Sequence, residues 1–244
     1  MRFLRLFCFH LKIYASNQYF LWLTISSTIS LFLLQFIVAY ATKQLNDTSL
    51  WIRSGIFGLW SSATTSAGCI GFQRFQGLLE AFQEIIQYHH PSFLYLPFKA
   101  SSFGLLSFPV SYLLAVLLGV SHSNVSMRLV LLVGTLWLAA SLMDFLIAGL
   151  FLLTTNAIVY EELITIPLLL LSGLFSSAPI LKPILIPFQW IIPIASPIHA
   201  LLNSTSEFNF LGFILSCVLW GVVTWILTKY LLILSKRTGN VRLM

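Results

Sequence analysis

Arg74 and Glu80 stand six residues apart with Gly77 between them, in a chain of 244 residues of which 8% are charged. Two opposite charges beside a residue that lets another backbone come close make a surface for a partner rather than a catalytic pair. Asp144 is a second chemical feature, the one acid placed well inside an apolar run. A carboxylate in hydrocarbon must be paired, protonated or wetted, so it is a candidate functional site by default. If its helix stops within a turn or two, the same residue is merely interfacial, and both readings stand at this point. Its pairing candidate in the sequence is Arg74. A third feature is the run Ser61, Ser62, Thr64, Thr65 and Ser66, whose hydroxyls suit close helix packing or a wetted transport path.

Other chemistry finds little support in the sequence. His89 and His90 precede Pro91, while His10, His122 and His199 are scattered, so no pair has the spacing of metal ligands on one helix. Cys8, Cys69 and Cys217 are far apart and suggest neither a disulfide framework nor a metal site. There is no Gly-x-Ser-x-Gly elbow, no pair of intramembrane carboxylates and no phosphate-binding Gly-x-x-x-x-Gly-Lys loop. No catalytic, cofactor-binding or metal-ligating residue is expected. If nucleotide drives the protein, the ATPase is a separate polypeptide.

The elements that must carry these residues follow from composition. With 58% hydrophobic residues and a mean hydropathy of +0.93, the chain is expected to be an all-α polytopic membrane protein. The bilayer core, about 30 Å thick, takes roughly 20 apolar residues as helix, and the apolar runs lack the alternation of a membrane barrel. Six spans are expected, at Gln18 to Thr42, Leu50 to Ile70, Ser102 to Val120, Leu129 to Leu153, Leu163 to Phe175 and Leu211 to Leu234. Residues 176–200 hold Pro179, Pro183, Pro187, Pro193 and Pro197, too broken to cross yet apolar enough to enter, which predicts a re-entrant or outer-side hairpin. Ser54, Gly58, Ser62 and Ser66 recur every four residues on the second span, a stripe of small residues that admits a close neighbour.

With six spans, Arg2, Arg5, Lys12, Arg74, Lys99, Lys229, Lys236, Arg237 and Arg242 fall on one side. Lys43, Arg53, Arg128 and Lys182 fall on the other. The bias places both termini in the cytoplasm of a multi-pass plasma-membrane protein; the segment 154–162, with Glu161 and Glu162 and no base, dissents only mildly. Residues 1–15 interleave Arg2, Arg5 and Lys12 with Phe3, Leu4, Phe7 and Leu11, which predicts an amphipathic interfacial helix rather than a signal peptide. The net charge of +6 is explained by this distribution and calls for no nucleic acid.

The order of these features resembles the membrane subunit of ABC-2 type transporters. Such permeases typically read Glu-Arg-x-x-Gly-Thr-Leu-Glu with a proline some way on, and this chain has Gln73, Arg74, Gly77, Leu78, Leu79, Glu80 and Pro91. A Leu-Ser-Gly-x-Phe turn leads in the family to Asn-Pro-Leu-x-Tyr-Ala; here stand Leu171, Ser172, Gly173, Leu174 and Phe175, then Ser196, Pro197, Ile198, His199 and Ala200. Gln73 replaces the usual acid, Leu78 a threonine, Ser196 an asparagine and His199 a tyrosine.

The resemblance implies a single ABC-2 type transmembrane domain over 1–244, with a cytoplasmic coupling segment at 72–98. It implies ATPase coupling through Arg74, Gly77, Leu79, Glu80 and Glu84, a path near Ser62, Thr65, Ser66 and Asp144, and an outer gate at Gly173, Phe175, Pro193 and Pro197. The implied partners are a cytoplasmic ABC ATPase that binds ATP and Mg, a second permease subunit, the same or related, and the lipid bilayer. The implied function is export of an apolar or amphipathic substrate such as a drug, peptide or lipid. The competing expectation is a six-span immunity or regulatory protein that works without an ATPase.

Overall fold

The computed structural model describes residues 18–75, 101–121, 124–151, 157–175, 182–203 and 207–238. Among the described residues the chain is all-helical and has no strand. In order come α1 (Gln18–Ala41), α2 (Ser49–Phe75), a 3₁₀ turn (Ser102–Leu106) running into α3 (Ser107–Leu117), α4 (Met127–Phe151) and α5 (Ala157–Leu171). A short α6 (Lys182–Leu185), a second 3₁₀ turn (Pro187–Trp190), α7 (Ala195–Leu202) and α8 (Phe210–Thr238) complete it. The interfacial helix expected over 1–15 lies outside the described residues.

Three of these helices contain segments long and apolar enough to cross a membrane: Leu21–Ala41, Met127–Ala148 and Phe210–Leu227. They mark a membrane protein. On α1 the exposed aromatics Tyr19 and Trp22 stand at one end and Tyr40 at the other. At 1.5 Å per residue they lie about 27–32 Å apart, the separation of the two interfaces where Tyr and Trp collect. Between them Leu33, Leu34, Ile37 and Val38 point outward, as do Ile214, Leu215, Val218 and Val222 on α8. Lipid, not water, is the solvent in which such faces are stable.

Helix α2 departs from the simple span that the sequence predicts. It runs to Phe75, past the expected end at Ile70, and it is the hub against which α1, α3, α4, α5 and α7 pack. Enclosed by protein, it does not need the apolar surface that lipid demands of α1 and α8. Its fully buried Trp51, Ile56 and Leu59 join Phe32 of α1 with Leu136, Met143 and Ile147 of α4 in one core. Three of its hydroxyls bond within the helix: Ser54 Oγ donates to the Leu50 carbonyl at 3.0 Å. Thr64 and Thr65 hydroxyls both donate to the Ser61 carbonyl, at 3.1 and 2.7 Å.

Glycines set how closely this hub is approached. A Cβ on Gly58 would collide with the Thr28 hydroxyl of α1 and sit 2.7 Å from Ser107 Cβ of α3; one on Gly55 would sit 2.8 Å from the Phe108 ring. One on Gly104 would sit 2.9 Å from the Leu59 backbone. These contacts run 55 against 108, 58 against 107 and 59 against 104, so α3 lies antiparallel to α2. Ser107 Oγ seals the crossing with bonds of 2.6 Å to the carbonyls of Gly55 and Gly104. Of the predicted small-residue stripe, Ser54, Gly58 and Ser62 are buried in these packed faces; the Ser66 side chain lies outside the described ones.

Helix ends are specified one by one. Asp47 accepts from the Ser49 amide at 2.9 Å ahead of α2, Ser126 from the Leu129 amide at 3.2 Å ahead of α4, and Asn209 from the Gly212 amide at 2.9 Å ahead of α8. These oxygens satisfy amides that have no partner within the helix. Helix α5 begins at Ala157, so Glu161 and Glu162 are helical, not part of the loop expected over 154–162. Glutamate is a good helix former, and neither Gly nor Pro interrupts the stretch before Pro167. The helix stops at Leu171, short of Phe175, where Gly173 turns the chain at φ 85°.

Candidate functional site

The sites expected from the sequence divide into three regions. Gly77, Leu79, Glu80 and Glu84 lie outside the described residues, as does the Arg74 side chain, although the Arg74 backbone belongs to the last turn of α2. The expected Arg74 to Asp144 pairing therefore lies outside them too.

The far end of that segment is described, and it is anchored. Ser101 and Ser141 are both fully buried, and their hydroxyl oxygens are 2.7 Å apart. Trp137 Nε1 donates to Ser101 Oγ at 3.1 Å, and Ser141 Oγ donates to the Trp137 carbonyl at 2.8 Å. Since an indole N–H can only donate and a carbonyl only accept, the middle bond must run from the Ser101 hydroxyl to Ser141 Oγ. The ring closes: indole to Ser101, Ser101 to Ser141, Ser141 to the carbonyl of the same Trp137. It fastens the residue that follows 76–100 to α4. The sequence reading missed all three residues. Ser141, one of the few polar residues inside α4, was the available signal.

Asp144 lies one helical turn beyond Ser141 and is buried, with 1% of its surface exposed. Helix α4 continues seven residues past it to Phe151, about two turns or 10 Å. Ser62 is buried and Thr65 half-buried on α2, which packs along α4. The hydroxyl of Thr65 is already used within its own helix, so no water path is needed to satisfy it.

The expected outer gate is fastened to α8. Pro193 and Pro197 are buried, Phe175 is exposed, and a Cβ on Gly173 would come within 3.7 Å of Leu185. Trp220 Nε1 donates to the Ile191 carbonyl at 2.7 Å, and Ser196 Oγ to the Asn209 carbonyl at 3.1 Å. The segment is thus helical in pieces, α6, a 3₁₀ turn and α7, where prolines interrupt it; residues 176–181 lie outside the described ones.

Among the described residues no group of three or more His, Cys, Asp or Glu could hold a metal ion. No known family model, curated protein or solved structure matches the chain.

Proposed function

We propose that the chain is the permease subunit of an ATP-driven ABC-2 type exporter, moving an apolar or amphipathic substrate outward. It pairs with a second permease and docks a cytoplasmic ATPase that binds ATP and Mg. In this reading α1, α2, the 3₁₀ turn with α3, α4, α5 and α8 are the six spans, both termini are cytoplasmic, and 182–202 belongs to the outer-side hairpin.

One observation supports it above the rest. The segment 76–100 is held at both ends by the core: α2, the hub of the bundle, runs unbroken into its start, and the Ser101, Ser141 and Trp137 ring holds its end to α4. A load applied to such a segment reaches two packed helices at once. An ATPase bound there with different contacts in its ATP and ADP states would bias two arrangements of the bundle. Arg74, Gly77, Leu79, Glu80 and Glu84 form the docking surface in this proposal, Ser62, Thr65, Ser66 and Asp144 flank the path, and Gly173, Phe175, Pro193 and Pro197 form the gate.

The test is gentle extraction of the tagged full chain from its native membrane, with the complex weighed intact. A mass containing a P-loop ATPase and two permeases is expected, and Arg74→Ala or Glu80→Ala should release the ATPase while leaving insertion intact. A chain that is extracted without any ATPase would sink the exporter reading.

A further inference from the structure

Arg53 stands four residues into α2, and its Nε is enclosed by protein yet meets no acceptor among the described residues. Ser49, one turn nearer the start of the helix and on the same face, likewise has an enclosed hydroxyl with no partner there. Arg53 is half-buried, so part of its surface stays open. It lies about 160° round α2 from Gly55 and about 140° from Gly58, which turns this face away from the crossings with α3 and α1.

The register of α2 on α1 gives the depth of the guanidinium. The two helices run antiparallel through the loop 42–48 and Gly58 lies against Thr28, so Arg53 falls level with Leu33. Leu33 is about 3 Å along α1 from the midpoint between Trp22 and Tyr40, and Tyr40 is about 10 Å further out. A cation at that depth needs a counter-charge or water, and hydrocarbon supplies neither. The acids whose side chains are described stand elsewhere. Asp47 is exposed and accepts the Ser49 amide at 2.9 Å, and Glu207 is exposed ahead of α8. Asp144 lies one turn beyond the Ser101 to Ser141 bond, which the contact of Gly104 with Leu59 places about 13 Å further along α2 than Arg53.

We infer that Arg53 and Ser49 bind the head of a single-chain amphiphile with a monovalent oxyanion, such as a fatty-acid carboxylate. One guanidinium balances one negative charge and gives an oxyanion two parallel N–H bonds, to which the Ser49 hydroxyl adds a third. Phe57, half-buried, and Trp60, buried, follow Arg53 on the same face one and two turns deeper and offer the chain apolar surface. A phospholipid in its place in the bilayer does not fit. Its phosphate stays outside the hydrocarbon, whose surface is about 12 Å above Arg53, further than the side chain reaches. As a binding site the pair rests on α1 crossing the bilayer; as the seat of a substrate it rests on the exporter reading.

The full chain, purified in phosphatidylcholine nanodiscs and incubated in turn with oleate, oleyl alcohol and phosphatidylglycerol, is released into mild detergent and weighed intact. Wild-type protein should retain one oleate and favour it about tenfold over oleyl alcohol, the factor of one charge-assisted hydrogen bond. Arg53→Gln should abolish that preference and Ser49→Ala should lower it. Arg53→Lys, which keeps the charge but not the fork, should lower it in part and serves as the test if Arg53→Gln does not fold. Equal retention of oleate and oleyl alcohol, or an unchanged preference in the Arg53 variants, would overturn the inference. Retention of phosphatidylglycerol and not oleate through Arg53 would assign the site to a bilayer lipid and overturn it equally. No ATPase takes part in this assay, so a chain that binds oleate but is extracted without an ATPase keeps the site and loses the exporter reading.

Discussion

Ser101 and Ser141, forty positions apart, are joined hydroxyl to hydroxyl at 2.7 Å in the interior of the bundle. The pair is asymmetric, because Ser101 Oγ also accepts the Trp137 indole N–H at 3.1 Å, whereas Ser141 returns its proton to its own helix at 2.8 Å. Ser101→Ala and Ser141→Ala each remove two of the three bonds of the ring. A buried neutral hydrogen bond contributes about 1 kcal/mol, and a stranded buried partner costs about 1–3 kcal/mol. Each variant should therefore destabilise by about 2 kcal/mol. Equilibrium unfolding in mixed micelles measures both, and a negligible loss in either would show that the ring does not work as drawn.

The approach of α1 and α3 to α2 turns on Gly58. A methyl group there meets the Thr28 hydroxyl and Ser107 Cβ, so Gly58→Ala must push two helices apart. The gain in helix propensity, about 1 kcal/mol, does not offset overpacking that costs about 1–3 kcal/mol. Gly134 and Gly221 have open space where a Cβ would stand, so Gly134→Ala and Gly221→Ala should be neutral or slightly stabilising in the same unfolding assay. Thr28→Ala should recover part of the Gly58→Ala loss, since it removes the nearest obstructing atom while the Ser107 contact stays.

Much of the helical frame was legible because lipid makes a simple demand. The spans read at Gln18 to Thr42, Leu129 to Leu153 and Leu211 to Leu234 correspond to α1, α4 and α8, which stand at Gln18–Ala41, Met127–Phe151 and Phe210–Thr238. Length and apolarity suffice when a helix faces hydrocarbon. They say less about α2, which is enclosed by other helices and takes its composition from packing, and about α5, which begins at Ala157 and takes in the glutamates that the pattern assigned to a loop. The small-residue stripe on α2 was legible as packing because Gly58 has one physical use there. The Ser101 ring was not, since two serines in a chain rich in serine become a site only when the thirty-nine residues between them bring them together.

Lys43 is the one non-glycine residue with positive φ, at 58°, among the described residues. It ends α1 with the Lys43 amide donating to the Tyr40 carbonyl at 3.2 Å and the Gln44 amide to the Ala39 carbonyl at 2.8 Å. Gly119, at φ 67°, closes α3 by the same two bonds, to Val116 and Ala115 at 3.3 and 2.9 Å. This is the Schellman arrangement, in which the left-handed position favours glycine. A side chain there costs about 1 kcal/mol, so Lys43→Gly should stabilise by roughly that amount and Gly119→Ala should destabilise by a similar one. Midpoints of thermal unfolding in one detergent compare the two directly, and movement in the same direction would contradict the assignment.

Asn209 joins α7 to α8 through two different atoms. Its side-chain oxygen accepts the Gly212 amide at 2.9 Å, three residues into the helix, while its backbone carbonyl accepts the Ser196 hydroxyl at 3.1 Å. Asn209→Ala removes the cap and keeps the carbonyl, so it should cost about 1 kcal/mol with α7 still attached. Asn209→Asp keeps an acceptor at the N-terminal end of the α8 dipole and should be neutral or slightly stabilising. Ser196→Ala removes the other bond alone, and its cost should add to that of Asn209→Ala if the two contacts act separately. Hydrogen exchange distinguishes them: Asn209→Ala should speed exchange at the Gly212 amide, and Ser196→Ala should speed it in α7. Faster exchange in α7 from Asn209→Ala alone would mean that the cap, and not the Ser196 hydroxyl, holds α7 to α8.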